Sequence, residues 1–241
     1  MYSTTWCSRL PDWLDFPNST PAGFPAGVIF DMDGLLLDSE RLARDAFVAA
    51  CTEHGWEADL SVYHTCIGST SEGTRQILCD HFGEQFPYET VDASWSRYYH
   101  ARLAAAPVPV KPGARALLEL LEADDVPRAL ATSTRRETAE SKLRDTGLLG
   151  YLPHRVCGGE TDRGKPHPEP YLAAAQALGI APEHCLALED SANGVRSAHA
   201  AGCVVIQIPD LVPPDPALSE LNHLILESLT EVVALLGRTD T

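Results

Sequence analysis

Short apolar runs that end abruptly in polar residues, with helical stretches between them, constrain this chain more than any other feature. Such runs lie at 28–30, 128–131, 155–157, 185–188 and 204–208, and helical spacing fills 136–146, 168–178 and 191–201. Brief β-branched and aliphatic runs read as buried strands, and strands alternating with helices need crossovers that cover both faces of a parallel sheet. The expected class is α/β, with a doubly wound, Rossmann-like parallel sheet. Ligands of such sheets bind outside the carboxyl ends of the strands. The residues that terminate these runs are therefore the first candidates for chemistry.

One segment interrupts the alternation. After Asp38 the apolar residues Leu42, Ala46, Phe47 and Ala50 follow a helical period, and further helical stretches around 70–82 and 91–105 come without strand signals. This predicts a small α-helical insert at 39–109, entered through 37–39 and left through 106–113, where Pro107, Pro109 and Pro112 stop the helix. The core is then 26–38 plus 110–241, with a short proline loop at 213–216 before a final helix. Residues 1–25 form an N-terminal extension, polar and proline-containing, without the basic start or apolar centre of a signal peptide. A disordered arm and a later natural start both fit it.

The chain has 241 residues, enough for one large domain or for a core with an insert. Its 18 Lys and Arg face 34 Asp and Glu, a formal charge of -16. That field repels nucleic-acid backbones and anionic membrane surfaces, so neither is an expected partner. A small anionic substrate must be drawn in by local cations. No apolar stretch approaches transmembrane length. The seven cysteines are scattered without a C-x-x-C pair and read as reduced thiols of a cytoplasmic protein.

The chemistry-bearing residues sit where the runs end. Asp31-Met32-Asp33-Gly34 follows the first run, and strand alternation points both aspartates roughly the same way before glycine permits a sharp turn. Taken alone, this is equally a solvated strand-to-turn junction. Thr132-Ser133-Thr134 brings hydroxyls to a second strand end, and Gly164-Lys165-Pro166 holds a lysine near a helix start. Glu189-Asp190 adds two carboxylates after a further strand. Four acids against one lysine need a cation, and Mg2+ suits carboxylates, water and a phosphate oxygen. Ser133 and Thr134 also suit the start of the next helix, which is the role expected for Thr134.

In their order along the chain these motifs resemble those of the haloacid dehalogenase superfamily, in the branch with a helical cap after the first motif. That branch includes β-phosphoglucomutase, 2-deoxyglucose-6-phosphatase and pseudouridine 5'-phosphatase, and Pro112-Gly113 matches the usual return from cap to core. The resemblance implies a Mg2+-dependent phosphatase of a small phosphorylated metabolite, either a sugar phosphate or a nucleoside monophosphate. It implies Asp31 as nucleophile forming an aspartyl phosphate, Asp33 as general acid and base, and Thr132 and Lys165 on the transferring oxygens. The implied metal ligands are Asp31, Asp33 through its carbonyl, Asp190, and Glu189 directly or through water. Glu40, Ser71, Thr132, Ser133 and Lys165 are the implied substrate contacts. The alternatives are a phosphosugar mutase and a non-catalytic phospho-acceptor or binding module. Ser71 stands where the mutase carries an arginine, the mutase's histidine after the first motif is missing, and Arg75, one turn on, is a candidate substitute. An acid at 33 argues against dehalogenation, since a halide leaves without a proton.

Overall fold

The computed structural model describes residues 25–69 and 71–237; most of the expected N-terminal extension lies outside this range. Six parallel strands form one sheet: β1 (Gly27–Phe30), β2 (Arg128–Ala131), β3 (His154–Val156), β4 (Cys185–Glu189), β5 (Val204–Gln207) and β6 (Leu224–Ile225), in the spatial order β3-β2-β1-β4-β5-β6. The central strands are buried along their length. Alternation divides their side chains between two cores. Val28, Phe30, Leu130, Leu186, Leu188 and Ile206 pack on one face with α5 (Ala114–Ala123), α6 (Arg136–Asp145) and α9 (Leu229–Leu236). Ile29, Ala129, Ala131, Ala187 and Val205 pack on the other with α7 (Glu169–Leu178) and α8 (Ala192–Ala200). Each fully buried Leu, Ile or Phe here contributes about 1.5–3 kcal/mol.

The segment between β1 and α5 is entirely helical: α1 (Ser39–Glu53), α2 (Leu60–Cys66), α3 (Ser71–Phe82) and α4 (Tyr88–Ala105). These helices gather their own apolar centre around Phe47, Tyr63, Leu78 and Val91, with Trp95 against Phe47 at a ring separation of 5.1 Å. The two crossovers to the sheet run side by side. Asp38 N donates to Pro109 O at 2.8 Å, and Lys111 N to Leu36 O at 2.9 Å. Arg41 and Lys111 both donate to Asp210 Oδ1, at 2.8 and 2.5 Å, tying each crossover to the loop after β5.

Helices α2 and α5 and strand β6 go beyond the expected elements. In α5, just after the return crossover at 106–113, the burial of Leu117, Leu118 and Leu121 marks a helical stripe. Strand β6 is two residues long, too short for any periodic signal.

Candidate active site

The strand order reverses between β1 and β4, opening a crevice at their carboxyl ends. Asp31 leaves β1 with its amide bonded to Leu188 O at 3.0 Å, and Glu189 and Asp190 leave β4 beside it. Thr132 follows β2, and Lys165 reaches in from the loop after β3. All five side chains are buried, Glu189 completely. A cavity of about 420 Å³ opens over Asp31, Asp33, Thr132, Lys165 and Asp190 and is roofed by the helical segment.

Lys165 organises one half of the site. Its Nζ donates to Asp31 Oδ1 at 2.6 Å and to Glu189 Oε1 at 2.5 Å. Tyr171 OH donates to the same Glu189 oxygen at 2.7 Å, and its ring lies 5.1 Å from the ammonium. Glu189 Oε2 accepts from the amides of Asp190 and Ser191 and from Ser191 Oγ, at 3.2–3.3 Å. Both oxygens of Glu189 are thus engaged in holding the lysine in place. Two glycines make this packing possible. A Cβ at Gly194 would lie 1.9 Å from the Glu189 carboxyl group, and one at Gly34, where φ is +89°, would lie 2.2 Å from Asp190 Oδ2.

Asp33 organises the other half. Ser39 Oγ and Lys142 Nζ donate to its Oδ1 at 2.5 and 2.7 Å, and Thr134 Oγ1 donates to Oδ2 at 2.6 Å. This corrects the helix-capping role expected for Thr134. The cap position of α6 is Arg135, which makes no side-chain capping bond, and the Thr134 hydroxyl turns into the site instead because an ionised acid is the stronger acceptor. Thr132 Oγ1 accepts from the amide of Thr134 at 3.1 Å, shaping the loop that delivers it.

The electrostatics of the two aspartates diverge. Burial pushes the Asp31 carboxyl up to about 8, against the pull of Lys165, and burial with the Asp31 and Glu189 charges pushes Asp190 well above the carboxylate range. Burial also opposes ionisation of Asp33, but Lys142, Ser39 and Thr134 outweigh it and hold that carboxyl below its usual value. Asp31, Glu189 and Asp190 offer oxygens within 4.8 Å of one another. Crowded, buried, hard oxygen donors with a charge deficit fit a divalent cation such as Mg2+.

The roof brings further groups over the cavity. Glu40 accepts from Tyr63 OH at 3.3 Å, and burial together with the Asp33 charge pushes its carboxyl up to about 7. Tyr63, Trp95 and Tyr99 line the wall, and Asn193 Nδ2 donates to Gly68 O at 3.1 Å, joining the roof to α8. Ser71 and Ser133 are exposed at the cavity edge. Arg75 is a correction: it is exposed, pairs with Glu89 at 2.8 Å and is absent from the cavity lining, so it does not stand in for a cation at Ser71. Ser39, Lys142, Tyr171 and Gly194 are the site residues that sequence reasoning missed. Lys142 did leave a signal, since it occupies an inward position of α6 beside Ala139 and Leu143.

A family model described as haloacid dehalogenase-like hydrolase matches residues 25–202. The chain is 34% identical over 193 residues to the "Probable pseudouridine-5'-phosphatase" of Drosophila melanogaster, covering 76% of this chain and 80% of that protein. It is 34% identical over 210 residues to hexitol phosphatase A of Escherichia coli strain K12, covering 86% and 92%. Its fold is similar to that of CbbY from Rhodobacter sphaeroides, crystallised with phosphate, at a TM-score of 0.73 and 25% identity, covering 89% of this chain and all of that one.

Proposed function

The chain belongs to the haloacid dehalogenase-like hydrolases, and from that premise we propose that it is a Mg2+-dependent phosphatase of a small phosphomonoester, a sugar phosphate or nucleoside monophosphate. The observation that carries this reading is the pairing of Asp31 and Asp33 on one cavity in opposite settings: one carboxyl crowded among acids beside Lys165, the other clasped by three donors.

In this reading an Asp31 oxygen attacks phosphorus, the ester bond breaks, and an aspartyl phosphate forms. The clasp keeps Asp33 ionised in the free site, so the ester enters as its phosphate monoanion and its proton passes through Asp33 to the leaving oxygen. Water then attacks the phosphoryl group and passes its proton through Asp33 to the departing phosphate, which frees Asp31; one water is consumed and both carboxylates are restored. Lys165, fixed by Glu189 and Tyr171, and the Thr132 hydroxyl hold the transferring oxygens. Asp31, Asp190 and the Asp33 carbonyl would hold Mg2+, with Glu189 direct or through water. The bound ion supplies positive charge that neutralises the acids and the transferring oxygens.

Residues 39–109 act as the cap that selects the leaving group, through Glu40 and the wall around it. Glu40 and Tyr63 offer a polar edge beside aromatic faces, a lining suited to hydroxyl-rich or heterocyclic groups. The hydrolase reading is favoured over the mutase because Ser71 is neutral and Arg75 is committed to Glu89. A cytoplasmic location fits the free state of all six described cysteines; Cys7 lies outside the described residues. No helix among the described residues is long and apolar enough to cross a membrane.

The test is release of p-nitrophenolate from p-nitrophenyl phosphate with and without Mg2+, with Asp31→Asn as control. A panel of glucose 6-phosphate, sorbitol 6-phosphate, mannitol 1-phosphate, β-glucose 1-phosphate and pseudouridine 5'-phosphate follows. Release that needs both the metal and Asp31 is the expected result, and an enzyme inert toward every ester refutes the reading. Conversion of β-glucose 1-phosphate to the 6-phosphate without phosphate release would establish the mutase.

A further inference from the structure

Lys142 has no part in the mechanism above, yet it is 5% exposed and its ammonium sits 2.7 Å from Asp33 Oδ1. It is also an expensive residue for its position. An inward site on α6, between Ala139 and Leu143, would be filled at lower cost by Leu or Met, because a buried ion pair seldom recovers the desolvation of both charges. What the lysine adds is a fixed direction. A carboxyl group with one hydroxyl on each oxygen can still rock about its Cβ–Cγ bond, whereas a third, charged donor on Oδ1 defines where both oxygens lie.

The ammonium is itself braced. Its Nζ stands 5.1 Å from the centroid of the Tyr99 ring on α4, a cation–π distance, so the lysine is held between the sheet side and the helical roof. Asp33 is therefore clasped by Thr134 and Lys142 from the core and by Ser39 at the start of the roof's first helix, with Tyr99 supporting the lysine from the roof's last. The clasp is complete only when the roof sits over the crevice.

We propose that Lys142 is a positioning residue for Asp33, fixing its carboxyl group in the orientation from which it exchanges protons with the leaving alcohol and the attacking water. This rests on the phosphatase reading. Lys142 keeps its own protons throughout; Asp33 passes the substrate's proton to the leaving oxygen and later takes one from the attacking water.

The experiment separates steps that use Asp33 from the one that does not. p-Nitrophenolate leaves without a proton, so its release in the first turnover does not draw on proton transfer by Asp33. An alkyl ester needs the Asp33 proton at once. In Lys142→Met, steady-state kcat for the best alkyl substrate of the panel falls about tenfold or more, with KM within about threefold of wild type, a loss in line with misplacing a group worth about 10²- to 10⁴-fold. First-turnover release of p-nitrophenolate, followed by rapid mixing, stays within about threefold of wild type. Adding Lys142→Met to Asp33→Asn costs nothing further, because the lysine acts through Asp33. Lys142→Gln, which keeps a donor for the buried carboxyl group, shows the same split with a smaller loss and serves should the methionine variant not fold. An unchanged kcat on the alkyl ester, an equal loss in both assays, or a raised KM at constant kcat would each overturn the proposal while leaving the phosphatase reading intact. A wild-type protein inert on every ester would remove that reading and this inference with it.

Discussion

Replacing Glu40 by Gln should remove a defined pH dependence from the stability of this protein. The Glu40 carboxyl is pushed from 4.5 to about 7 by burial under the helical roof and by the nearby Asp33 charge. Between those values the folded chain keeps a proton that the unfolded chain has lost, so stability falls as pH rises from about 4.5 through about 7. Below that window the contribution is complete. At about 1.4 kcal/mol per pKa unit the shift is worth about 3 kcal/mol. Urea unfolding of wild type and Glu40→Gln at pH 4.5 and pH 8, both in EDTA, isolates it to first order, because acids away from Glu40 titrate alike in the two proteins. Wild type should lose about 3 kcal/mol more than the variant over that range. A difference below about 0.5 kcal/mol, within the scatter of surface substitutions, would mean that Glu40 is solvated in the free protein and that the roof does not rest over the crevice in solution.

Two further outcomes follow from the packing of the acids. Gly194→Ala drives a methyl group into the Glu189 carboxyl group, freeing Lys165 from one of its two acidic partners; it should cost about 3–5 kcal/mol by denaturant unfolding and abolish turnover, and a variant of wild-type stability would show that α8 can retreat from the sheet. Mg2+ at about a hundred times its dissociation constant should stabilise the protein by about 2.7 kcal/mol, raising Tm by about 5–10 °C for a chain of this size. Asp190→Asn should lose most of that rise in the same thermal melt, and an equal rise in both proteins would place the ion elsewhere.

The fold class was legible along the chain, and so were Asp31, Asp33, Thr132, Lys165, Glu189 and Asp190 as candidates for chemistry. Burial in a parallel sheet leaves a local trace, a short apolar run that ends where the chain emerges, and each of these residues lies at or soon after such an end. Their partners emerged with the folded packing. It turned Glu189 toward Lys165 and Tyr171, turned Thr134 away from its helix toward Asp33, and brought Lys142 across 109 positions of sequence to the same carboxyl group. It also committed Arg75 to Glu89, outside the cavity. Partners of this kind are chosen by the direction in which a side chain leaves its helix and by which buried acid most needs a donor. Neither quantity exists until the helices have docked on the sheet, so no spacing along the chain records it.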